Sequence, residues 1–138
     1  MRVKTICCSL VTGLALLLPH AAQAGVSPDV KRDFAKAVYQ GSPEFVHDHQ
    51  PQALLRAVVV LNVRLDVNNR WRADVLRTND EQPEMLARAL ETVQRAPTIP
   101  VSGEAREELQ RNGLVEAWLF DNDGTFQVMT LAKPQRNH

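Results

Sequence analysis

The sequence predicts an α+β fold, a small antiparallel sheet of three to four strands packed against one main helix, with one or two short N-terminal helices. Three observations carry this. In residues 58–67, Val59, Leu61, Val63, Leu65 and Val67 alternate with Val60, Asn62, Arg64 and Asp66, the period of two that buries one face of a strand. After Asn68-Asn69, residues 71–77 repeat that period, with Trp71, Ala73 and Val75 on one face and Arg70, Arg72 and Asp74 on the other. In residues 83–96 the period becomes helical: Leu86, Ala89, Leu90 and Val93 form one stripe, with Met85 at its edge.

The elements follow in chain order. Ser27-Pro28-Asp29 combines a capping hydroxyl, a proline suited to the first helical position and an acid in the first turn. Val30, Phe34, Ala37 and Val38 then share a face, and Gly41 is a stop. Ser42-Pro43-Glu44 repeats the start signal for a short second helix through Phe45 and Val46. Asn68-Asn69 supplies the left-handed backbone that a tight hairpin needs. Leu76 interrupts the polar face of the second strand, which predicts a strand end covered from both sides. Arg88 and Arg95 point outward, and Pro97 and Pro100 end the helix. Residues 104–112 read as a short exposed helix ended by Gly113, with Glu104, Glu107 and Glu108 on a solvated face. Residues 114–120 form a third strand. Asp121-Asn122-Asp123-Gly124 is a turn, and residues 125–131 return as a last strand.

The chain starts with the layout of a cleaved secretory leader. Arg2 and Lys4 precede a short apolar run, residues 6–18, and Ala22-Gln23-Ala24 is an A-x-A cleavage site. The run is shorter than the roughly 20 residues of a membrane span, so no stable span is expected after cleavage. Cys7 and Cys8 lie in the leader, so cleavage after Ala24 would leave 114 of the 138 residues without a cysteine. The expected organisation is a leader at 1–24, one domain at 25–132 and a flexible tail at 133–138. Periplasmic or secreted localisation follows. Removing Arg2 and Lys4 leaves 14 basic against 16 acidic residues, a balance that gives no reason to invoke nucleic acid.

Chemistry-bearing residues are sparse. His47-Asp48-His49 is the one cluster with metal-ligand character, but nothing marks the further ligands that a site needs. Asp121, Asp123 and Gly124 lack the rest of a calcium loop. Asp66 and Asp74 lie beside Arg64, Arg70 and Arg72, which favours cross-strand ion pairs over paired catalytic carboxylates. Trp71 and Trp118 read as core anchors. No nucleophile elbow or phosphate loop is present. Neither a catalytic residue nor a cofactor is expected, and the chain reads as non-enzymatic.

In residues 50–100 the order of elements resembles the C-terminal domain of the TonB and TolA group of energy-transducing periplasmic proteins. The residues that carry the likeness are Gln50-Pro51 at the entry, Val59 to Val67 as the V-x-V-like strand and Asn68-Asn69-Arg70 at the turn. Trp71 and Val75 stand on the second strand, followed by the Ala- and Leu-rich helix and the exit at Pro97 and Pro100. The entry lacks the group's Tyr and the turn lacks its Asp and Gly. The resemblance implies binding of a protein partner in the cell envelope through a sheet edge, which could also pair two copies of the chain. Its residues are expected on the last strands: Leu114, Glu116, Trp118, Phe120, Phe126 and Val128. Only residues 25–57 separate the leader from the first strand, so the anchor and long spacer of an energy transducer are not expected. A small inhibitor of a hydrolase, presenting residues 121–124 or 97–103, and a metal-handling protein using His47 and His49 are the alternatives.

Overall fold

A computed structural model describes residues 25–134. The expected leader at 1–24, with both cysteines, and the tail residues 135–138 lie outside the described residues. The elements are α1 (Pro28–Gly41), a 3-10 turn (Pro43–Phe45), β1 (Ala57–Leu65), β2 (Trp71–Arg77), α2 (Pro83–Arg95), α3 (Gly103–Arg111), β3 (Leu114–Phe120), β4 (Phe126–Val128) and a closing 3-10 turn (Met129–Leu131). The strands form one antiparallel sheet in the order β2-β1-β3-β4. This is the expected α+β class. Among the described residues no helix is long and apolar enough to cross a membrane.

One face of the sheet is the core. Ala57, Val59, Leu61, Val63 and Leu65 of β1 are all buried, opposite Phe120, Trp118, Glu116 and Leu114 of β3. The helices cover this face. α1 contributes Phe34, Ala35, Ala37 and Val38, α2 contributes Met85, Ala89, Thr92 and Val93, and α3 contributes Leu109. α1 runs from Pro28 to Gly41, between the start at Ser27-Pro28 and the stop at Gly41 that the sequence marks. Ser27 and Ser102 cap α1 and α3 by accepting from the amides of Val30 and Ala105. Gly41 lets α1 approach the end of α2, since a Cβ there would lie 2.4 Å from the Arg95 carbonyl oxygen.

The β1–β2 hairpin turns as its sequence requires. Asn69 takes φ 59°, and the Asp66 carboxylate accepts from the amides of Asn68 and Arg70. Arg64 pairs with Asp74 at 2.6 Å and Arg72 with Asp66 at 3.0 Å, the expected cross-strand ion pairs.

Four expectations need correction. Leu76 is 56 % exposed rather than covered: Leu61 pairs with Val75 and Val60 with Arg77, so Leu76 is the extra, unpaired residue of a bulge in β2. The last strand stops at Val128 and becomes a 3-10 turn. Met85 is buried rather than peripheral. Arg88 donates to the Gly124 carbonyl at 2.7 Å and lies 4.3 Å from the centre of the Phe45 ring, so it ties α2 to the β3–β4 turn rather than facing solvent.

Candidate functional site

The two outer edges of the sheet differ, and the difference follows from which main-chain groups point outward. At β4, Asp121 donates to Thr125, which makes the odd positions of this hairpin the ones facing β3. Phe126 and Val128 therefore point outward, and both are engaged. The Phe126 carbonyl accepts from the His47 amide at 2.8 Å, and the Val128 amide donates to the Tyr39 hydroxyl at 3.1 Å. Burial raises the Tyr39 pKa. Gln127 adds side-chain bonds to the carbonyls of His47 and His49. This edge is closed by the chain itself.

At β2 the same reasoning gives an open edge. The Asp66 amide donates to the Arg70 carbonyl at 2.9 Å, so residues 66 and 70 face each other as a hydrogen-bonded pair. With Arg64 opposite Arg72 and Asn62 opposite Asp74, the alternation directs the main chain of Arg72 and Asp74 into β1. Trp71, Ala73 and Val75 then turn their N–H and C=O groups outward. Among the described residues none hydrogen-bonds to these groups. The strand is seven residues long and contains no Pro, Gly or Lys, although Arg72, Asp74, Arg77 and the bulge at Leu76 are of the kinds that blunt an exposed edge.

Side chains along β2 divide by face. Trp71 is buried, packed edge-on against Phe34 with ring centres 4.8 Å apart, and its indole N–H donates to the Pro97 carbonyl. Val75 shares that face and is 44 % exposed. On the opposite, helix-free face stand Arg72 and Asp74, followed across the sheet by Val60, Asn62, Val115 and Ala117. Val115 is 48 % exposed, so this face carries apolar surface in contact with solvent.

The six residues expected to bind a partner lie elsewhere. Leu114, Glu116, Trp118, Phe120, Phe126 and Val128 are each no more than 4 % exposed. β3 is an inner strand between β1 and β4, so the structure gives these side chains to the core. Trp118 donates to the Thr92 hydroxyl at 2.9 Å, and Thr92 donates to the Ala89 carbonyl at 2.7 Å. Glu116 serves the backbone where β4 ends early. Its Oε1 accepts from the amides of Ala117 and Thr130, while its buried Oε2 has no partner.

His47 is held rather than displayed. Its Nδ1 lies 3.0 Å from Asp121 Oδ2 and 3.1 Å from Thr125 Oγ1, and its Nε2 lies 3.4 Å from the Gln50 carbonyl. Carboxylate and hydroxyl meet the same ring nitrogen, so the imidazole is not interposed between them as in an acid–base relay. Asp123 accepts from the hydroxyl and the amide of Thr125, which hold its carboxyl below the usual range. The His49 side chain is 81 % exposed and pairs with Asp48. Among the described residues no group of three or more His, Cys, Asp or Glu side chains converges as a ligand set.

Comparison with family models, curated proteins and solved structures finds no match to this chain.

The open edge has a weak sequence signal. Any strand of an antiparallel hairpin can be an edge, and no residue in β2 states that a third strand is missing beside it.

Proposed function

We propose that the chain is an exported, non-enzymatic protein-binding module that acts through the edge of β2. The carrying observation is the contrast between edges: β4 is closed by His47 and Tyr39, while Trp71, Ala73 and Val75 present unpaired main-chain groups. An extended segment laid along β2 gains main-chain hydrogen bonds, and the alternating side chains select its sequence. The leader-like residues 1–24 support export to the periplasm or beyond. The likeness of residues 50–100 to TonB-type domains supports the same mode of binding. Against the inhibitor alternative, the 121–124 turn is built into the fold: Asp121 is buried against His47, and the Gly124 carbonyl is engaged by Arg88.

The Val75→Pro variant tests this. Its edge-facing N–H disappears, whereas the pairing of Arg72 and Asp74 with β1 is untouched. The expected outcome is loss of partner capture from the cell envelope at an unchanged melting temperature. Capture that persists in a folded Val75→Pro chain would overturn the reading. Amide hydrogen exchange gives a second check: partner binding should slow exchange at Ala73 and Val75 selectively.

A further inference from the structure

We infer that the occupant of the β2 edge is a second copy of this chain, paired antiparallel about a two-fold axis at Ala73. The inference rests on the edge-binding reading and names the partner of that edge. It comes from the charge pattern of the strand, for which one self-pairing register makes opposite-charge pairs without setting like charges against each other.

Trp71, Ala73 and Val75 point their main-chain groups outward, so two copies of β2 can pair only by matching odd positions with odd positions. The candidate registers are therefore few. An axis at Arg72 sets Arg72 against its own copy, although it also places Arg70 opposite Asp74 twice, and an axis at Asp74 sets Asp74 against its own copy. Moving the axis to Trp71 places Arg70 opposite Arg72 of the other chain. At Val75 it places Asp74 opposite Leu76, with no compensating charge. An axis at Ala73 alone sets Arg72 opposite Asp74 of the second copy, and by symmetry does so twice. In that register Ala73 exchanges both hydrogen bonds with its copy, Trp71 and Val75 exchange theirs, and the Trp71 and Val75 side chains lie opposite each other on the core side. Opposite charges placed directly across an antiparallel pair stabilise it, and like charges destabilise it.

The side chains are free to make these pairs. Arg72 uses Nε on Asp66, and Asp74 uses Oδ2 on Arg64. Among the described residues neither the Arg72 Nη groups nor Asp74 Oδ1 has a partner. Both side chains are well exposed, at 64 % and 57 %. The dimer would link Asp66, Arg72, Asp74 and Arg64 of one copy to the same residues of the other in a continuous ladder. It would also join the two sheets into one, with the helix-free faces on the same side.

Charge reversal tests this on the chain as the producing cell makes it, by sedimentation over a concentration series. The expected outcome is a wild-type dimer, with Arg72→Asp and Asp74→Arg each weakening self-association about tenfold or more. The two variants carry like charges within themselves but opposite charges to each other, so mixing them should restore a dimer. That result excludes misfolding as the cause of the single-variant losses. A wild-type chain that stays monomeric throughout, or a mixture that does not associate, overturns the inference. The edge reading fails separately. If the wild type is monomeric yet partner capture still disappears in Val75→Pro, the second copy is wrong and the edge is right. If a wild-type dimer survives both Val75→Pro and the charge reversals, neither holds.

Discussion

Glu116 shows how a single residue can look functional in a sequence and be structural in the fold. An acid amid Leu114, Trp118 and Phe120 suggests a specific contact, yet it is 1 % exposed. Its role is local. β4 ends at Val128, so the Ala117 amide has no ladder partner, and Glu116 Oε1 supplies one. Glu116→Gln keeps the shape and a carbonyl acceptor for the Ala117 and Thr130 amides, so thermal denaturation should find its stability within about 1 kcal/mol of wild type. Glu116→Leu leaves two part-buried amides unpaired and should cost about 2 kcal/mol. Trp118 depends on Thr92 in the same way. Trp118→Phe loses the indole hydrogen bond and part of the ring volume, and urea denaturation should register a loss of about 2 kcal/mol. Trp118 was readable from the sequence as a core anchor. Thr92 was not, because a polar residue on a helix gives no sign that an indole will meet it.

Among the elements, the helices, the hairpin and the third strand lie close to where their periodicity puts them. The strong signals were local: Ser27 and Pro28 at the start of α1, Asn69 with positive φ, and Pro97 after α2. What periodicity missed lies at element ends and junctions. The exposure of Leu76 goes with a bulge in β2, where it lies unpaired between Val75 and Arg77, and the short β4 depends on Met129 turning away. The α1–α2 contact is a further case. Gly41 reads as a helix stop, but its lack of a side chain also makes room for the Arg95 carbonyl. Gly41→Ala must push the two helices apart and should lower stability by more than about 1 kcal/mol, measured by calorimetry. Gly103→Ala, where nothing lies within 4 Å of the added Cβ, is the matched control and should be neutral or slightly stabilising.

For the whole molecule, acid should loosen the fold through particular carboxylates. Glu44 is held below its usual pKa first by its own amide and then by Arg95. Asp66 is held low first by the Arg70 amide, then by Asn68 and Arg72, and Asp123 by Thr125. A carboxyl with a depressed folded pKa contributes stability that is complete above its unfolded pKa. That contribution is lost as pH falls through the folded value. The melting temperature should therefore be flat near neutrality and decline below about pH 4. Asp66→Asn should flatten part of that decline and lower the neutral melting temperature, because an amide supplies one acceptor where the carboxylate supplies two. The stability of residues 25–134 should not change with reducing agent, since both cysteines precede this region.

By itself the sequence determined the α+β class, the position of the hairpin and its ion pairs, and which face of each strand enters the core. Those properties depend on short-range periodicity and on turn and cap chemistry, which neighbouring residues set. Only the tertiary structure decided which strands are inner and which are outer. That choice moved Leu114, Glu116, Trp118, Phe120, Phe126 and Val128 from an expected binding edge into the interior and left β2 as the open one. The physical reason is that an edge is defined by what does not pair with it. The closure of β4 needs Tyr39 and His47, which come from distant parts of the chain, and strand pattern alone carries no record of such partners.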